Sequence, residues 1–435
     1  MGSPFSHTRP RAPAGIVPRL SASTFTVVFV AALVASLAVR LWLARRHIAH
    51  VIAHRAAVPA AFADRIGLAA HQKAADYTVT RTRFGIVELL VEAGVLLAFT
   101  LGGVVGALVT WTDVLPFGGV TRDLVLIVAV AVVAGLVGLP FSYAQTFGIE
   151  VRFGFNRTTR RLWLTDIAKG VALSAALGLP LAALVLWLMR AAGPLWWVYV
   201  WIVWTAFQFL LLAIYPTVIA PMFNTFSPLP AGDAREAIER LLARCGFANR
   251  GLFVMDGSRR SAHGNAFFTG FGRSKRIVFF DTLLSRLAPD EIEAVLAHEL
   301  GHFKLRHVLK RMLIMGATSL GFLALLAWLA SSRWFYEGLG VPPAPDRPGV
   351  ALILFFLAMP VFTFVFAPLG SLYSRRHEFE ADAFAARNAS GASLVRALVK
   401  LYADNAATLT PDPWYSAFHD SHPPAAVRIA RLQGA

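Results

Sequence analysis

The chain has 435 residues, of which 57% are hydrophobic and only 15% charged, and its mean hydropathy is +0.59. This composition excludes an ordinary soluble protein and is typical of a polytopic membrane protein. The formal net charge of +16 does not indicate a nucleic-acid-binding protein, because the arginines stand at the ends of apolar runs. Cys245 is the only cysteine, which excludes intramolecular disulfides and cysteine-rich metal sites, so a bound metal would be held by histidines and carboxylates.

Seven stretches are apolar enough, over about 20 residues each, to cross a bilayer as helices. We place them at residues 24–44, 85–110, 123–145, 169–190, 195–219, 308–330 and 350–372. The sequence therefore predicts an all-α polytopic membrane protein with seven transmembrane helices. Basic residues are concentrated between the first and second spans and between the third and fourth, and the opposite loops are nearly free of them. By the positive-inside rule, the basic loops and the C-terminal tail face the cytoplasm.

Two regions are too polar to cross the membrane. The first contains "AREAIERLLARCGF", which has helical spacing, the predicted strands "GLFVMDGS" and "KRIVFFDTLL", and the helix "LAPDEIEAVLAHELGHFKLRH". We divide the chain into a five-helix membrane region, a small α+β domain on the cytoplasmic side, two further spans and the C-terminal part of that domain, at residues 1–221, 222–307, 308–372 and 373–435.

The helix of the first polar region carries a motif for a divalent metal. His298 and His302 stand one turn apart and project from the same helix face, with Glu299 beside them. A catalytic zinc site needs three protein ligands and one open position. The extended pattern HExxHxxGxxH is not completed, because Leu305 and Val308 stand where its glycine and third histidine would be. The third ligand must therefore come from another segment.

The best candidate for the third ligand is Glu378 in "RRHEFEAD". Asp382 lies one turn further along the same face, where its carboxylate can accept the second N–H of a ligating histidine. His377 is the competing ligand, and the E-x-x-x-D spacing favours the carboxylate. We interpret Glu380 as a solvated charge and His307 as an ordinary interfacial histidine at the start of the sixth span.

This donor set predicts a zincin-like metalloprotease with one Zn²⁺ per chain. Zinc held by two histidines and a carboxylate activates water near neutral pH, and Glu299 is placed to act as the general base. His422 in "SHPP" and Arg428 are candidates for donors to the developing oxyanion. A peptide substrate needs an edge strand to bind to, and "HGNAFFTGFGRSKRIVFFDTLL" predicts one in which Asn265 and Ala266 offer backbone groups.

At these residues the chain resembles the integral-membrane zinc CAAX prenyl endopeptidases of type 1. The resemblance is carried, in order, by "FGIEVRFGFNRTT", "YPTVIAPMFNTFSPLP", "HGNAFFTGF", "LAHELGHFKLRH", "SRRHEFEADAFA" and "SHPPAAVR". It implies seven helices forming a barrel around a large intramembrane chamber, which the zinc site closes on the cytoplasmic side. Transferred by position, it assigns zinc, the base and supporting roles to His298, His302, Glu378, Glu299, Asn265, Asp382, His422 and Arg428.

The chain departs from the family pattern at Phe267, where tyrosine is often found, and in the shortened turn "GFGRSKR". Its alanine-rich and arginine-rich composition is typical of a GC-rich bacterial genome, in which prenylated CAAX proteins are not expected. We therefore expect a protein of the bacterial inner membrane with its active site facing the cytoplasm. The fold and the hydrolytic chemistry should transfer from the family, and the substrate should not.

Three functional hypotheses follow. The first is a zinc endopeptidase that cleaves peptides or membrane-associated proteins, surrounded by membrane lipids and without a nucleic-acid partner. The second is C-terminal processing of a lipid-modified peptide. The third is a non-proteolytic transporter or scaffold with a structural metal, and the lack of an evident fourth protein ligand favours catalysis over it.

Overall fold

The protein consists of long apolar helices and a smaller α+β domain joined to them. We describe a computed structural model, which covers residues 21–247, 251–264, 266–269 and 276–434, with the backbone alone at 267–269. The first membrane region contains the helices α1 (Ala22–Ala53), α2 (Leu68–Phe99), α3 (Val104–Asp113), α4 (Gly119–Ala144), α5 (Glu150–Arg152), α6 (Arg160–Ala191), α7 (Trp196–Ile214) and α8 (Ala220–Phe223).

The polar domain follows these helices, and the chain then returns to the membrane. Its first part contains β1 (Phe226–Pro228), α9 (Asp233–Arg244), β2 (Leu252–Met255), β3 (Ala266–Thr269), β4 (Arg276–Phe280), α10 (Asp281–Leu284) and α11 (Pro289–Lys304). The remainder contains α12 (His307–Ala330), α13 (Arg333–Gly338), α14 (Pro348–Thr363), α15 (Ala367–Asn388), α16 (Gly391–Asp404), α17 (Pro413–His419) and α18 (Ala425–Gln433).

Among the described residues, six helices are long and apolar enough to cross a membrane, and a bent pair brings the number to seven. The predicted all-α membrane architecture with a small α+β domain is therefore confirmed. The last span differs from the prediction in length. It continues through a short 3-10 turn from Pro348 to Asn388, beyond the predicted membrane boundary at residue 372. The predicted third ligand therefore stands on an extension of a membrane helix.

The second span is bent, although the sequence predicted one segment at residues 85–110. α2 and α3 meet at an angle of 46° across residues 100–103. Gly103 has φ +80°, a conformation that favours glycine, and a Cβ at Gly102 would lie 2.7 Å from the Cα of Ala98. The pair of glycines therefore allows a break that hydropathy does not detect.

The sheet of the polar domain has four strands in the order β1-β2-β4-β3. β2 and β4 are parallel, with Leu252 opposite Ile277, and β3 runs antiparallel to β4, with Ala266 opposite Phe279. The apolar residues of β4 are buried because the sheet packs against α9 and α11. β3 stands at the end of this order and is therefore an edge strand, and it lies within the segment "HGNAFFTGFGRSKRIVFFDTLL", for which the sequence predicted one.

A buried ionic cluster joins the helix ends opposite the polar domain. Asp123 at the start of α4 is fully buried, and it accepts hydrogen bonds from Arg347 Nε at 2.6 Å and Arg190 Nη2 at 2.9 Å. The backbone N–H of Gly349 donates to the same carboxylate at 3.2 Å. One carboxylate therefore connects α4 with the end of α6 and the start of α14.

Removal of the Asp123 carboxylate should destabilise the bundle. Asp123→Ala leaves the buried Arg347 with one carboxylate partner, Asp113, instead of two, and we expect a loss of about 3 kcal/mol of unfolding free energy. Unfolding in detergent micelles measures this. Arg333→Gln is the matched control, because Arg333 is 80% exposed in its pair with Glu337, and such pairs contribute about 1 kcal/mol or less. Equal unfolding curves for the two variants would show that the cluster does not hold the helix ends together.

Candidate active site

α11 presents the two histidines of the motif at the edge of a well-packed core. Pro289 stands at the first helical position, and the Glu291 carboxylate accepts the N–H of Ala288 at 2.8 Å, which caps the start of the helix. Leu296 and Leu300 are buried in the domain core. The helix is therefore fixed on its apolar side, and His298 is held with only 7% of its surface exposed.

α15 brings two carboxylates to the same place because it packs unusually close to α11. A Cβ at Gly301 would lie 3.0 Å from the Cα of Ala381 and 3.1 Å from the Cβ of Phe384. Only glycine leaves room for this approach without a shift of the neighbouring helix. Glu378 and Asp382, one turn apart on α15, are 3% and 4% exposed as a result.

The three predicted metal ligands converge. His298 Nε2 and His302 Nε2 are 3.2 Å apart, and they lie 3.4 Å and 3.3 Å from the two carboxylate oxygens of Glu378. Ligand atoms about 2.0–2.1 Å from a tetrahedral zinc ion are roughly 3.3 Å from one another. The histidine separation and the two separations to the different oxygens of Glu378 are close to that value, so the chemistry and spacing of this donor set fit a zinc ion.

Asp382 and Arg428 form the shell behind His298. The Asp382 carboxylate accepts the Nδ1 proton of His298 at 2.8 Å, which directs the Nε2 lone pair towards the ligand group. Arg428 is 6% exposed and donates to both oxygens of Asp382, at 2.9 Å from Nε and 2.6 Å from Nη2. The sequence assigned an oxyanion contact to Arg428. The structure places it behind the histidine, because its guanidinium is needed to balance a buried carboxylate.

Glu299 is half-buried beside the ligand group. Its carboxylate has no hydrogen bond or ion pair with the part of the chain that the structure describes. Glu378 and Asp382 are both engaged by histidines, in contrast. The side chain predicted as the base is therefore not engaged by another described residue.

His422 lies close to the ligands but is open to solvent. Its Nδ1 is 2.7 Å from Glu378 Oε2, and 63% of its side chain is exposed. The loop before α18 thus carries an imidazole to the rim of the ligand group, whereas Arg428, six residues later, is buried under it.

The predicted substrate strand is β3, which lies against α11. Asn265 lies outside the described residues, and Ala266 is the first residue of the strand. The loop before β3 is held in place by Thr282 Oγ1, which donates to the His263 carbonyl at 2.9 Å, and by Asn405 Oδ1, which accepts the Gly264 N–H at 3.2 Å. A fixed edge strand therefore runs beside the helix that carries His298 and His302.

Two predictions near the site need correction. His307 is 2% exposed rather than interfacial, and its Nδ1 lies 3.0 Å from His302 Nδ1. Glu380 is paired with His307 at 3.0 Å and is not a free solvated charge. His377, the competing ligand, stacks on the His307 ring at a centroid distance of 3.9 Å. The sequence contained no signal for these contacts, because they join residues of different helices.

Comparison with known proteins agrees with this geometry. Residues 47–225 match the family described as CAAX prenyl protease N-terminal, five membrane helices, and residues 228–435 match Peptidase family M48. The "CAAX prenyl protease 1 homolog" of Oryza sativa subsp. japonica is 38% identical over 317 residues, which cover 73% of this chain and 74% of the relative. The homologue of Caenorhabditis elegans is 32% identical over 411 residues, covering 88% and 92%.

Solved structures give the same result. The crystal structure of S. mikatae Ste24p superimposes with a TM-score of 0.88 at 31% identity, over 94% of this chain and 99% of that one. The fold and the site define a multi-pass membrane metallopeptidase. The chain belongs to peptidase family M48, among the CAAX prenyl protease 1 homologues, and the resemblance seen in the sequence is confirmed.

Proton competition at His298 should make metal binding depend on pH. Burial alone would lower the pKa of His298, but hydrogen bonds to Asp382 and Glu378 outweigh it and raise the pKa to about 9. Below that pH, the His298 ring of the metal-free protein therefore carries a second proton, which zinc must displace. We expect apparent zinc affinity to rise about tenfold per pH unit up to pH 9 and then to level off.

Competition with a chromophoric chelator, corrected for the chelator's own protonation, measures this dependence. Asp382→Asn removes the charge that favours the protonated ring, so its profile should level off at a lower pH. Zinc affinity that does not change between neutrality and pH 9 would contradict the raised pKa of His298.

Proposed function

We propose that His298, His302 and Glu378 hold one zinc ion per chain and that Glu299 is the general base of peptide-bond hydrolysis. The observation that supports this most directly is the set of three ligand separations between 3.2 and 3.4 Å beside a carboxylate with no described partner. Zinc bound there would supply Lewis-acid activation of water and of the substrate carbonyl. A structural metal in a transporter or scaffold does not agree with membership of a peptidase family.

The residues around the ligand group would have different roles in the reaction. Glu299 would take a proton from the attacking water and pass it to the leaving amine. Asp382 keeps the Nδ1 proton on His298, and Arg428 keeps Asp382 ionised and in place. His422 is an exposed donor at the rim, and we assign to it the contact with the substrate carbonyl oxygen.

The substrate would bind as an extended peptide along β3 and reach the site from a chamber between the helices. One cavity of about 630 Å³ has a mixed lining, in which charged and polar side chains such as His263 and Asp420 alternate with apolar ones. A second, of about 410 Å³, is mostly apolar and extends to Phe99 and Phe356. Both are lined by Arg40, Glu88, Leu89 and Glu92, so the two cavities lie next to each other.

This division of the chamber favours a substrate that combines a peptide with a lipid group. The cavity of mixed lining suits a peptide, and the mostly apolar one suits a hydrocarbon chain. The relatives are named for CAAX prenyl proteolysis, which involves that combination. We propose that the enzyme accepts peptides and membrane-associated proteins, and that a lipid group on the substrate occupies the apolar cavity.

The active site would face the cytoplasm of a bacterial inner membrane. The protease side of the bundle carries the basic residues of the first loop, where Arg46 pairs with Asp412 at 2.9 Å and Arg55 pairs with Asp76 at 2.8 Å. The opposite ends carry few basic residues, and two of them, Arg190 and Arg347, pair with the buried Asp123 and with Asp113. The positive-inside rule then orients the protease domain inwards.

Loss of the base should abolish turnover and leave the metal bound. Glu299→Gln is expected to lower kcat by about 10²–10⁴-fold, because the attacking water loses its proton acceptor, and zinc should stay at one per chain. Cleavage of a fluorogenic peptide and metal analysis of the same sample provide the two measurements.

Two variants complete that experiment. Glu293→Gln on the same helix is the matched control and should keep full activity, because Glu293 pairs with Arg244 away from the ligands. Glu378→Ala should lose zinc. Retention of full activity by Glu299→Gln would reject the assigned base, and retention of zinc by Glu378→Ala would make another residue the third ligand, with His377 the first to test.

A lipid group on the substrate should lower KM through the apolar cavity. We expect a prenylated peptide to have a lower KM than the same peptide without the lipid, with similar kcat. Gly138 lines this cavity and has open space around it, so Gly138→Phe should remove the difference by filling the cavity. Gly135→Phe on the same helix is the control, because Gly135 does not line the cavity. Equal KM values for the two peptides with the unmodified enzyme would reject a lipid-binding role.

A further inference from the structure

A break between α11 and α12 turns His307 back towards His302. Residues five apart on a continuous helix point about 140° away from each other, so these two imidazoles would not meet. Arg306 between them adopts φ +57°, in the left-handed region that non-glycine residues rarely occupy. The break brings His307 Nδ1 to 3.0 Å from His302 Nδ1. A left-handed residue directly after the C-cap is a common way to end a helix, and here it is a residue other than glycine.

The proton positions along this contact follow from the ligand group. His302 Nε2 faces the other two ligands and needs a lone pair there, so its proton is on Nδ1. That N–H donates to His307 Nδ1, which must be unprotonated, and the His307 proton is therefore on Nε2. His307 Nε2 donates to Glu380 Oε2 at 3.0 Å. The other oxygen of Glu380 accepts from Arg376 Nε at 3.0 Å.

Every polar atom of His307 is satisfied by this arrangement, although the residue is 2% exposed. Its ring stacks on His377 with an interplanar angle of 7°, which fixes the ring plane. His307, His377 and Glu380 have donor atoms within 4.8 Å of one another and could be taken for a second metal site. Parallel stacked rings direct their nitrogen lone pairs side by side rather than to one point, and both His307 nitrogens are already engaged.

We propose that His307 and Glu380 are positioning residues of the zinc site, which hold His302 in its metal-binding tautomer through a carboxylate–imidazole–imidazole chain. This proposal rests on the proposed zinc ligation by His302. This hydrogen-bond chain provides His302 with an outer partner that directs its ring and increases its basicity. Asp382 has the same role for His298. The partner of His302 is a neutral imidazole with the carboxylate one ring further away, so the two ligands differ in electronic character.

The proposal predicts a loss of metal affinity when the His307 nitrogens are removed. His307→Phe keeps the stacked ring and cannot accept the His302 N–H, so zinc should bind about 10–100-fold more weakly. His307→Asn places an amide oxygen at the position of Nδ1 and should restore most of the affinity. His307→Gln places its amide near the position of Nε2 and should not. Zinc titration of the metal-free protein against a chelator measures all three variants, without reference to activity.

Two controls separate positioning from packing. His377→Phe preserves the stack and lies outside the hydrogen-bond chain, so its affinity should equal that of the parent. In the cobalt-substituted protein, the visible absorption of His307→Phe should shift because the orientation of a ligand changes, and that of His377→Phe should not. If His307→Phe does not fold, the difference between the Asn and Gln variants gives the same information.

The remaining outcomes are also decisive. If His302→Ala loses zinc while His307→Phe and His307→Gln bind it like the parent, the ligation by His302 stands and the positioning role is rejected. If His302→Ala binds zinc like the parent, the proposed metal site fails and the positioning role fails with it. A second zinc per chain that is lost in His377→Phe would show that the stacked histidines form a metal site, which would overturn the proposal.

Discussion

The close contact between α11 and α15 is the constraint on which the site depends. His298 and His302 belong to one helix and Glu378 and Asp382 to the other, and both pairs have a spacing of one turn. Two such pairs can meet face to face only where the helix backbones approach closely. Gly301 lies between the histidines and provides that approach against Ala381. The ligand geometry is therefore a consequence of helix packing as much as of the ligand residues themselves.

Both helices of the site continue into the membrane, and this couples the catalytic geometry to the bundle. α11 is followed by α12 after a break at Leu305 and Arg306, and α15 continues from α14 through a single 3-10 turn. The far ends of the bundle are fixed by the buried carboxylate of Asp123. A movement of the membrane-spanning helices would therefore change the positions of the metal ligands. The protease domain is better described as the polar end of the bundle than as a separate unit resting on it.

The two histidines of the motif have different surroundings, which the motif itself does not reveal. His298 is supported by an ion pair between Asp382 and Arg428 that is almost completely buried. His302 contacts a neutral ring whose partner Glu380 is about one-third exposed, with Arg376 beyond it at the surface. Charge is therefore concentrated behind one ligand and dispersed behind the other. This difference follows from the depth at which each residue lies in the helix contact.

Local patterns in the sequence determined much of this protein. Hydropathy over about 20 residues predicts the spans, short apolar runs predict β2 and β4, and the one-turn spacing of two pairs predicts the donor set. These features depend on neighbours in the chain, so they can be derived without a fold. In the structure the donor residues also come together, and the distances of 3.2 to 3.4 Å between their donor atoms match those expected around a zinc ion.

Only the tertiary structure decided which side chains face one another across elements. The bend at Gly102 and Gly103, the break at Arg306 and the burial of Arg428 under the ligands all depend on how helices cross. His307 is the clearest case, because it lies five positions after His302 and helical periodicity places the two on different faces. Periodicity fixes the direction of a side chain relative to its own helix. The crossing of helices, which depends on the packing of the whole chain, fixes what that side chain meets.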